Sequence, residues 1–358
     1  MVLDIAMSSP LKDGARHRAI PCSRLQWLVP VTNLPKYGVM TPETRPQVIL
    51  IAGPTASGKS AVSLVLAGRV GGEIVNADSM QIYRELPVLS AAPDAAERAR
   101  VPHHLYGIAS VRDPFSVARW AELAGKAIGG ILDRGGTAIV TGGTGLYFRA
   151  LLGGLSAVPP VDGDVRRQVR DLVLASGAAA GHALLAVEDP VMAERLQPGD
   201  GQRIARALEV VRSTGRSLAH WHEAVVEGPL AALDRRGRVG KFALLPPRDW
   251  LYERCDRRFD LMMTAGVLDE VAALPPADPD LTALKALGIP QLRAALAGEM
   301  AMGEAVKLAK TATRQYAKRQ MTWFRNQCAD WTILEEKQTE RIVDLIFSKI
   351  SRDGLTEK

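Results

Sequence analysis

The stretch from Val48 to Ser60 constrains this chain more than any other. Four apolar, mostly β-branched residues (Val48, Ile49, Leu50, Ile51) lead through Ala52 to Gly53; Gly58-Lys59-Ser60 then completes a G-x-x-x-x-G-K-[ST] phosphate loop. A buried strand delivers the chain to a tight turn, where glycines let backbone N–H groups point inward at an anion. The helix that follows adds the partial positive charge of its N-terminus. Lys59 is placed to neutralise terminal phosphates, and the Ser60 hydroxyl to ligate Mg²⁺. The fold class expected from this is α/β: a parallel sheet of the P-loop type, whose ligands gather at the carboxyl ends of the strands.

A second strand, expected over 73–77, ends on Asp78-Ser79-Met80-Gln81, which brings Asp78 to the same edge as the loop. A turn-capping aspartate is the competing explanation. A third run, Thr137-Ala138-Ile139-Val140, ends in Thr141-Gly142-Gly143-Thr144-Gly145, where glycines after a strand mean close backbone approach. Helices are expected over 59–68, 116–133, 250–264 and 303–326, and a further strand over 241–246. Between 158 and 218 only helical spacing is found. The adjacent His103 and His104 point apart on any regular element, which argues against a shared metal. The expected division is an N-terminal disordered extension (1–46), a first part of the core (47–157), a helical insertion (158–218), a second part of the core (219–331), and a C-terminal helix and tail (332–358).

The chain has 358 residues, 47% of them hydrophobic and 23% charged, as in ordinary soluble globular proteins. No run of eighteen apolar residues offers a membrane span. Three cysteines without CxxC spacing argue against a zinc site and for reduced thiols of a cytoplasmic protein. The formal net charge of +6 and a pI near 9.3 suit a polyanionic partner. On the last long helix Lys307, Lys310, Arg314, Lys318 and Arg325 recur at steps that keep them on one stripe, with no acid among them. A solvated face would mix signs, so this stripe, with Arg314 and Lys318 at its centre, is expected to meet RNA phosphates. Arg203 and Arg206, three apart, share a helix face, for which a solvated pair is the ordinary explanation.

The loop alone is compatible with a nucleoside or small-molecule kinase using ATP, or with a nucleotide-switched RNA-binding protein. Five blocks in order narrow it: Gly-Pro-Thr-Ala-Ser-Gly-Lys-Ser at 53–60, Asn-Ala-Asp-Ser-Met-Gln-Ile-Tyr at 76–83, Thr-Gly-Gly-Thr-Gly-Leu-Tyr-Phe at 141–148, Gln-Arg-Ile-Ala-Arg-Ala-Leu-Glu-Val at 202–210 and Thr-Arg-Gln-Tyr-Ala-Lys-Arg-Gln-Met-Thr-Trp at 313–323. Together they resemble the tRNA dimethylallyltransferases of bacterial type. The resemblance implies transfer of the dimethylallyl group of dimethylallyl diphosphate to N6 of the adenosine 3′ of the anticodon, in tRNAs reading codons that begin with U. It implies a monomer that needs Mg²⁺, held through Ser60. The diphosphate would lie on Gly53, Pro54, Thr55, Ala56, Ser57, Gly58, Lys59 and Ser60. Asp78, Thr144 and Arg258 would be catalytic: Asp78 accepting from the amino group, Thr144 steadying the reacting centre, Arg258 facing the diphosphate. Asp78, Ser79, Met80, Gln81, Arg166, Gln202, Arg203, Ile204, Ala205, Arg206, Lys285 and Gln291 fall where the family touches tRNA. The chain departs from the family pattern at Ala92, where a lysine is usual, and at Ile289-Pro290, where an aromatic residue is usual.

Overall fold

The computed structural model describes residues 46–276, 278 and 281–353. The extension expected over 1–46 falls, but for Pro46, outside them. Strand β1 (Val48–Ala52) is fully buried, and its apolar run leaves no side suited to water. It lies between β4 (Thr137–Gly142) and β7 (Val239–Leu244), parallel to both, with Val48 opposite Ala138 on one side and Val239 on the other. Strands β2 (Gly72–Asn76), β3 (His103–His104) and β8 (Thr332–Leu334) complete a six-stranded parallel sheet in the order β3-β2-β4-β1-β7-β8. Every strand therefore ends on the same edge of the sheet.

Alternation along the strands feeds two cores. Val48, Leu50 and Ala52 point to the side of Trp120, Ile128, Phe148 and Phe324. Ile49 and Ile51 point to the side of Val62 and Leu66, from helix Lys59–Val70, and of Ile342, Val343, Ile346 and Ile350, from helix Thr339–Asp353. The C-terminal segment expected as helix and tail thus opens with β8, which pairs with β7 and extends the sheet.

Between β4 and β7 the chain leaves the sheet. A two-residue antiparallel pair, β5 (Leu155–Ser156) with β6 (Val225–Val226), brackets the excursion. Helices Gly163–Ser176, Ala178–Glu188, Pro190–Arg195 and Gly201–Thr214 follow, packing on Val169, Leu185, Ile204 and Leu208 in a cluster of their own. Asp162, Asp189 and Asp200 start three of these helices by accepting backbone N–H groups that the first turn leaves unpaired. In the middle of the insertion Glu209, only 3% exposed, accepts from Arg170 at 3.0 Å and Arg206 at 3.4 Å.

Candidate active site

The phosphate loop leaves β1 at Gly53 and enters helix Lys59–Val70 at Gly58, whose φ of 94° is a conformation that glycine adopts without strain. Ala56 also takes a left-handed φ, 64°, which bends the loop back on itself. Lys59 Nζ donates to the Pro54 carbonyl at 3.3 Å and so lies across the loop. Burial brings Lys59 down from its ordinary 10.5 to about 8; the Asp78 charge opposes that fall, and Arg258 adds to it. Ser60 is exposed at the first turn of the helix. Ser57 Oγ is buried and has no hydrogen-bond partner among the described residues.

Helix Arg248–Thr264 crosses in front of the loop and brings two arginines one turn apart. Arg258 donates to Thr55 Oγ1, and Arg254 Nε donates to the Ala56 carbonyl at 2.9 Å. Burial lowers the Arg258 pKa, the mark of a cation held away from water. Cys255, between them, is a buried free thiol beside the Thr55 carbonyl.

Asp78 lies just beyond β2. Its N–H donates to Asn76 Oδ1 at 2.8 Å, and its Oδ1 accepts from Met80 N at 3.0 Å. Asn76, fully buried, also donates to the Asp78 and Leu105 carbonyls at 3.0 and 3.1 Å, while its own carbonyl accepts from Trp120 Nε1. The aspartate is thus braced on both sides, and its second oxygen has no hydrogen-bond donor among the described residues. Thr144, after β4, accepts from Ser79 N at 3.0 Å through Oγ1 and ties the Asp78 turn to the glycine turn. At Gly142 and Gly143 there is no room for a side chain. A Cβ on Gly142 would run into the Ala77 backbone; one on Gly143 would strike Gln320 Nε2 and lie 3.2 Å from the Gly53 carbonyl and 3.6 Å from Asp78 Oδ2. Phosphate loop, carboxylate and glycine turn therefore meet at one seam.

Thr55, Lys59, Asp78, Ser79, Thr144 and Arg258 are brought together there, with the rest of the loop from Gly53 to Ser60. The candidates outside the loop and the seam stand elsewhere or are already engaged. Gln81 spends both amide hydrogens on the Ser90 and Ala91 carbonyls, at 3.0 and 2.9 Å, holding the loop that carries Ala92. Ile204 and Ala205 are buried in the insertion's own core, so their side chains are packing and not an RNA surface. Gln202 and Arg203 are exposed, Arg203 in a loose pair with Asp200 at 3.4 Å, while Arg206 is turned toward Glu209. Arg166 Nε and Gln291 Oε1 are buried without a partner among the described residues, whereas Lys285 is exposed. Ile289 is wholly buried, which makes its position a core one.

The cationic stripe needs correction. Along helix Met302–Gln327, Arg314 Nη1 binds both carboxylate oxygens of Asp256, at 2.6 and 2.7 Å, and Lys310 binds Asp260 at 2.6 Å. The acids missing from the stripe come from helix Arg248–Thr264, whose packing against this helix they fasten. Lys307, Lys318 and Arg325 remain exposed.

Three participants have no role that the sequence assigns: Gln320, Asn76 and Arg254. Gln320 shares its buried helix face with Ala309, Thr313 and Ala317. A large amide on such a face was the available signal, because a buried polar group must find partners.

Comparison with known proteins accords with this geometry. The family model described as IPP transferase matches residues 81–327, and that described as Isopentenyl transferase matches 46–103. The tRNA dimethylallyltransferase of Parvibaculum lavamentivorans is 50% identical over 312 residues, covering 87% of this chain and 98% of the relative. That of Rhodospirillum centenum is 51% identical, covering 80% and 91%. Among solved structures, the full-length tRNA isopentenylpyrophosphate transferase of Bacillus halodurans matches with TM-score 0.60 and 33% identity, over 87% of this chain and 99% of that one. A eukaryotic dimethylallyltransferase acting on tRNA matches with TM-score 0.68 and 25% identity, over 85% and 79%. On this evidence the chain belongs to the tRNA dimethylallyltransferase family.

Proposed function

We propose that this protein transfers the dimethylallyl group of dimethylallyl diphosphate to N6 of the adenosine 3′ of the anticodon in tRNA. One observation carries the reading: the Asp78 carboxylate and the phosphate loop meet at Gly143, so a base stands beside an anion cradle. In the transfer, the amine nitrogen bonds to C1 of the allyl group while the C1–oxygen bond to diphosphate breaks. The departing charge falls toward Lys59, Arg258 and the free amides that open helix Lys59–Val70, groups fixed before the reaction begins. An aromatic amine is a weak nucleophile because its lone pair is delocalised into the ring. Asp78 raises its electron density by accepting its hydrogen bond, then takes the proton. A lysine brought down to about 8 still carries its charge at neutral pH, as a site that binds a diphosphate requires.

Among the described residues no cluster of His, Cys, Asp and Glu could cage a metal ion. That suits Mg²⁺, which keeps several waters and is held by one or two protein oxygens with phosphate. The exposed Ser60 hydroxyl is such an oxygen, and in the same loop the buried Ser57 Oγ has no hydrogen-bond partner among the described residues. When bound, the ion would add positive charge to the diphosphate and make it a better leaving group.

A stacked adenine cannot reach this seam, so the base is extruded from the anticodon loop, as in other base-modifying enzymes. Exposed Lys285, Lys307, Lys318 and Arg325 are placed to meet the RNA backbone, as is Arg203, whose pair with Asp200 is loose. Among the described residues no helix is long and apolar enough to cross a membrane. The test is to incubate the protein with unmodified tRNA and dimethylallyl diphosphate, in parallel without and with ATP, to weigh the digested nucleosides and to assay ATP loss in the second reaction. A dimethylallyl adduct on adenosine is the expected product; ATP turnover without any adduct would refute the proposal in favour of a kinase.

A further inference from the structure

Gln320 belongs to none of the roles assigned so far, yet it joins the two halves of the site. Its side chain is 6% exposed on the inner face of helix Met302–Gln327. Oε1 accepts from the Thr55 N–H at 2.8 Å, and Nε2 donates to the Gly143 carbonyl at 2.8 Å. The first partner is in the phosphate loop, the second in the turn that touches Asp78, and they lie 265 and 177 residues away along the chain. Each end of the amide is dictated: a backbone N–H needs an acceptor, and a carbonyl needs a donor. No other uncharged side chain of this length offers both in one plane. The fit leaves no slack, since Gly143 lacks room even for a methyl group against Nε2. The Thr55 amide, moreover, is committed to Gln320 and so is withdrawn from the anion. The remaining loop amides and the helix terminus form the cradle.

We infer that Gln320 is a positioning residue for the transfer. It fixes the phosphate loop against the glycine turn, and thereby sets the distance and angle at which the amine, held by Asp78, meets C1 of the bound donor. The inference rests on the function proposed above. Reacting atoms must lie about 3–3.5 Å apart and in line for such a step, and displacement by about 1 Å costs on the order of 10²-fold in rate. Substrate affinities depend on contacts that Gln320 does not make, so its loss should appear in the rate of the bound complex and not in binding.

Two variants separate positioning from mere support of the fold. Gln320→Met removes both hydrogen bonds at nearly constant volume. Gln320→Glu keeps the shape and the bond from Thr55, but an ionised carboxylate cannot donate to the Gly143 carbonyl; a protonated one can. The charged groups that share these partners are Asp78, beside Gly143, and Arg258, on Thr55. The measurements are single-turnover transfer rate and dissociation constants for both substrates, wild type and variants alongside, from pH 5 to 8 and below the unfolding temperature of each. We expect Gln320→Met to lose about 10²-fold in transfer rate, with both dissociation constants within about threefold of wild type. For Gln320→Glu the rate relative to wild type should rise as pH falls, while the ratio for Gln320→Met stays flat. A relative rate near one for Gln320→Met, or a flat pH ratio for Gln320→Glu, would overturn the inference. The glutamate variant decides the matter alone if the methionine variant does not fold. Absence of transfer by the wild type would instead refute the proposed function, so the two failures are distinguishable.

Discussion

Replacing Lys59 by Met should stabilise the unliganded protein while abolishing its hold on the donor. Folding brings the lysine from 10.5 down to about 8, chiefly by burying it. Between those two values the unfolded chain holds the proton that the folded chain has lost, so wild-type stability rises with pH across that window. Below pH 8 both states are protonated and the folded protein carries the whole cost of a buried charge. At about 1.36 kcal/mol per pH unit, that cost is about 3 kcal/mol. Methionine has a similar length and no charge, so it fits the same space with little repacking. Urea unfolding of both proteins at pH 7, 8, 9 and 10 would measure this. The variant should be the more stable by about 3 kcal/mol at pH 7, with the gap closing toward pH 10. Calorimetry with inorganic diphosphate should show wild-type affinity falling as pH rises above about 8, and only weak, pH-independent binding by the variant. A Lys59→Met protein no more stable than wild type at pH 7 would refute the claim that this lysine is held, charged and buried, for its ligand.

Three further outcomes follow from named contacts. Asp78→Asn keeps an oxygen for the Met80 N–H but loses the proton acceptor; single-turnover transfer should fall about 10²–10⁴-fold, with tRNA affinity in a filter-binding assay nearly unchanged. Arg314→Ala breaks the pair with Asp256, whose side chains are 29% and 37% exposed. Thermal unfolding should report a loss of about 1 kcal/mol, with the salt dependence of tRNA binding unaltered, whereas Lys318→Ala should flatten that dependence by about one unit of slope. Gly145→Ala would press a methyl group into the Trp323 ring; denaturant unfolding should show it less stable by about 1–3 kcal/mol, with reduced transfer because the glycine turn shifts.

The parts of this protein that sequence makes legible are those written locally. An apolar run followed by glycines, lysine and serine specifies a strand, an anion-binding turn and a helix within thirteen consecutive residues, 48–60. The edge location of Asp78 follows from the parallel sheet alone. What stays hidden depends on partners distant in sequence. Gln320 meets Thr55 across 265 residues, and Asp256 meets Arg314 across 58, so neither pairing leaves a periodic trace. The cationic stripe was visible on its own helix, but the acids that neutralise two of its members lie on another. Strands β3 and β8, of two and three residues at the sheet edges, are too short to show alternation. Ile204 and Ala205 show the opposite limit: a family block marks a segment, while the helix rotates some of its side chains inward.

The central claim is that the loop from Gly53 to Ser60 holds a leaving group for an RNA nucleophile and does not split a nucleoside triphosphate. It is tested most directly by following the phosphorus of dimethylallyl diphosphate during transfer to unmodified tRNA, with ATP absent. One intact diphosphate should be released for each N6-(dimethylallyl)adenosine formed. Orthophosphate in its place, or adduct formation only when ATP is added, would contradict it.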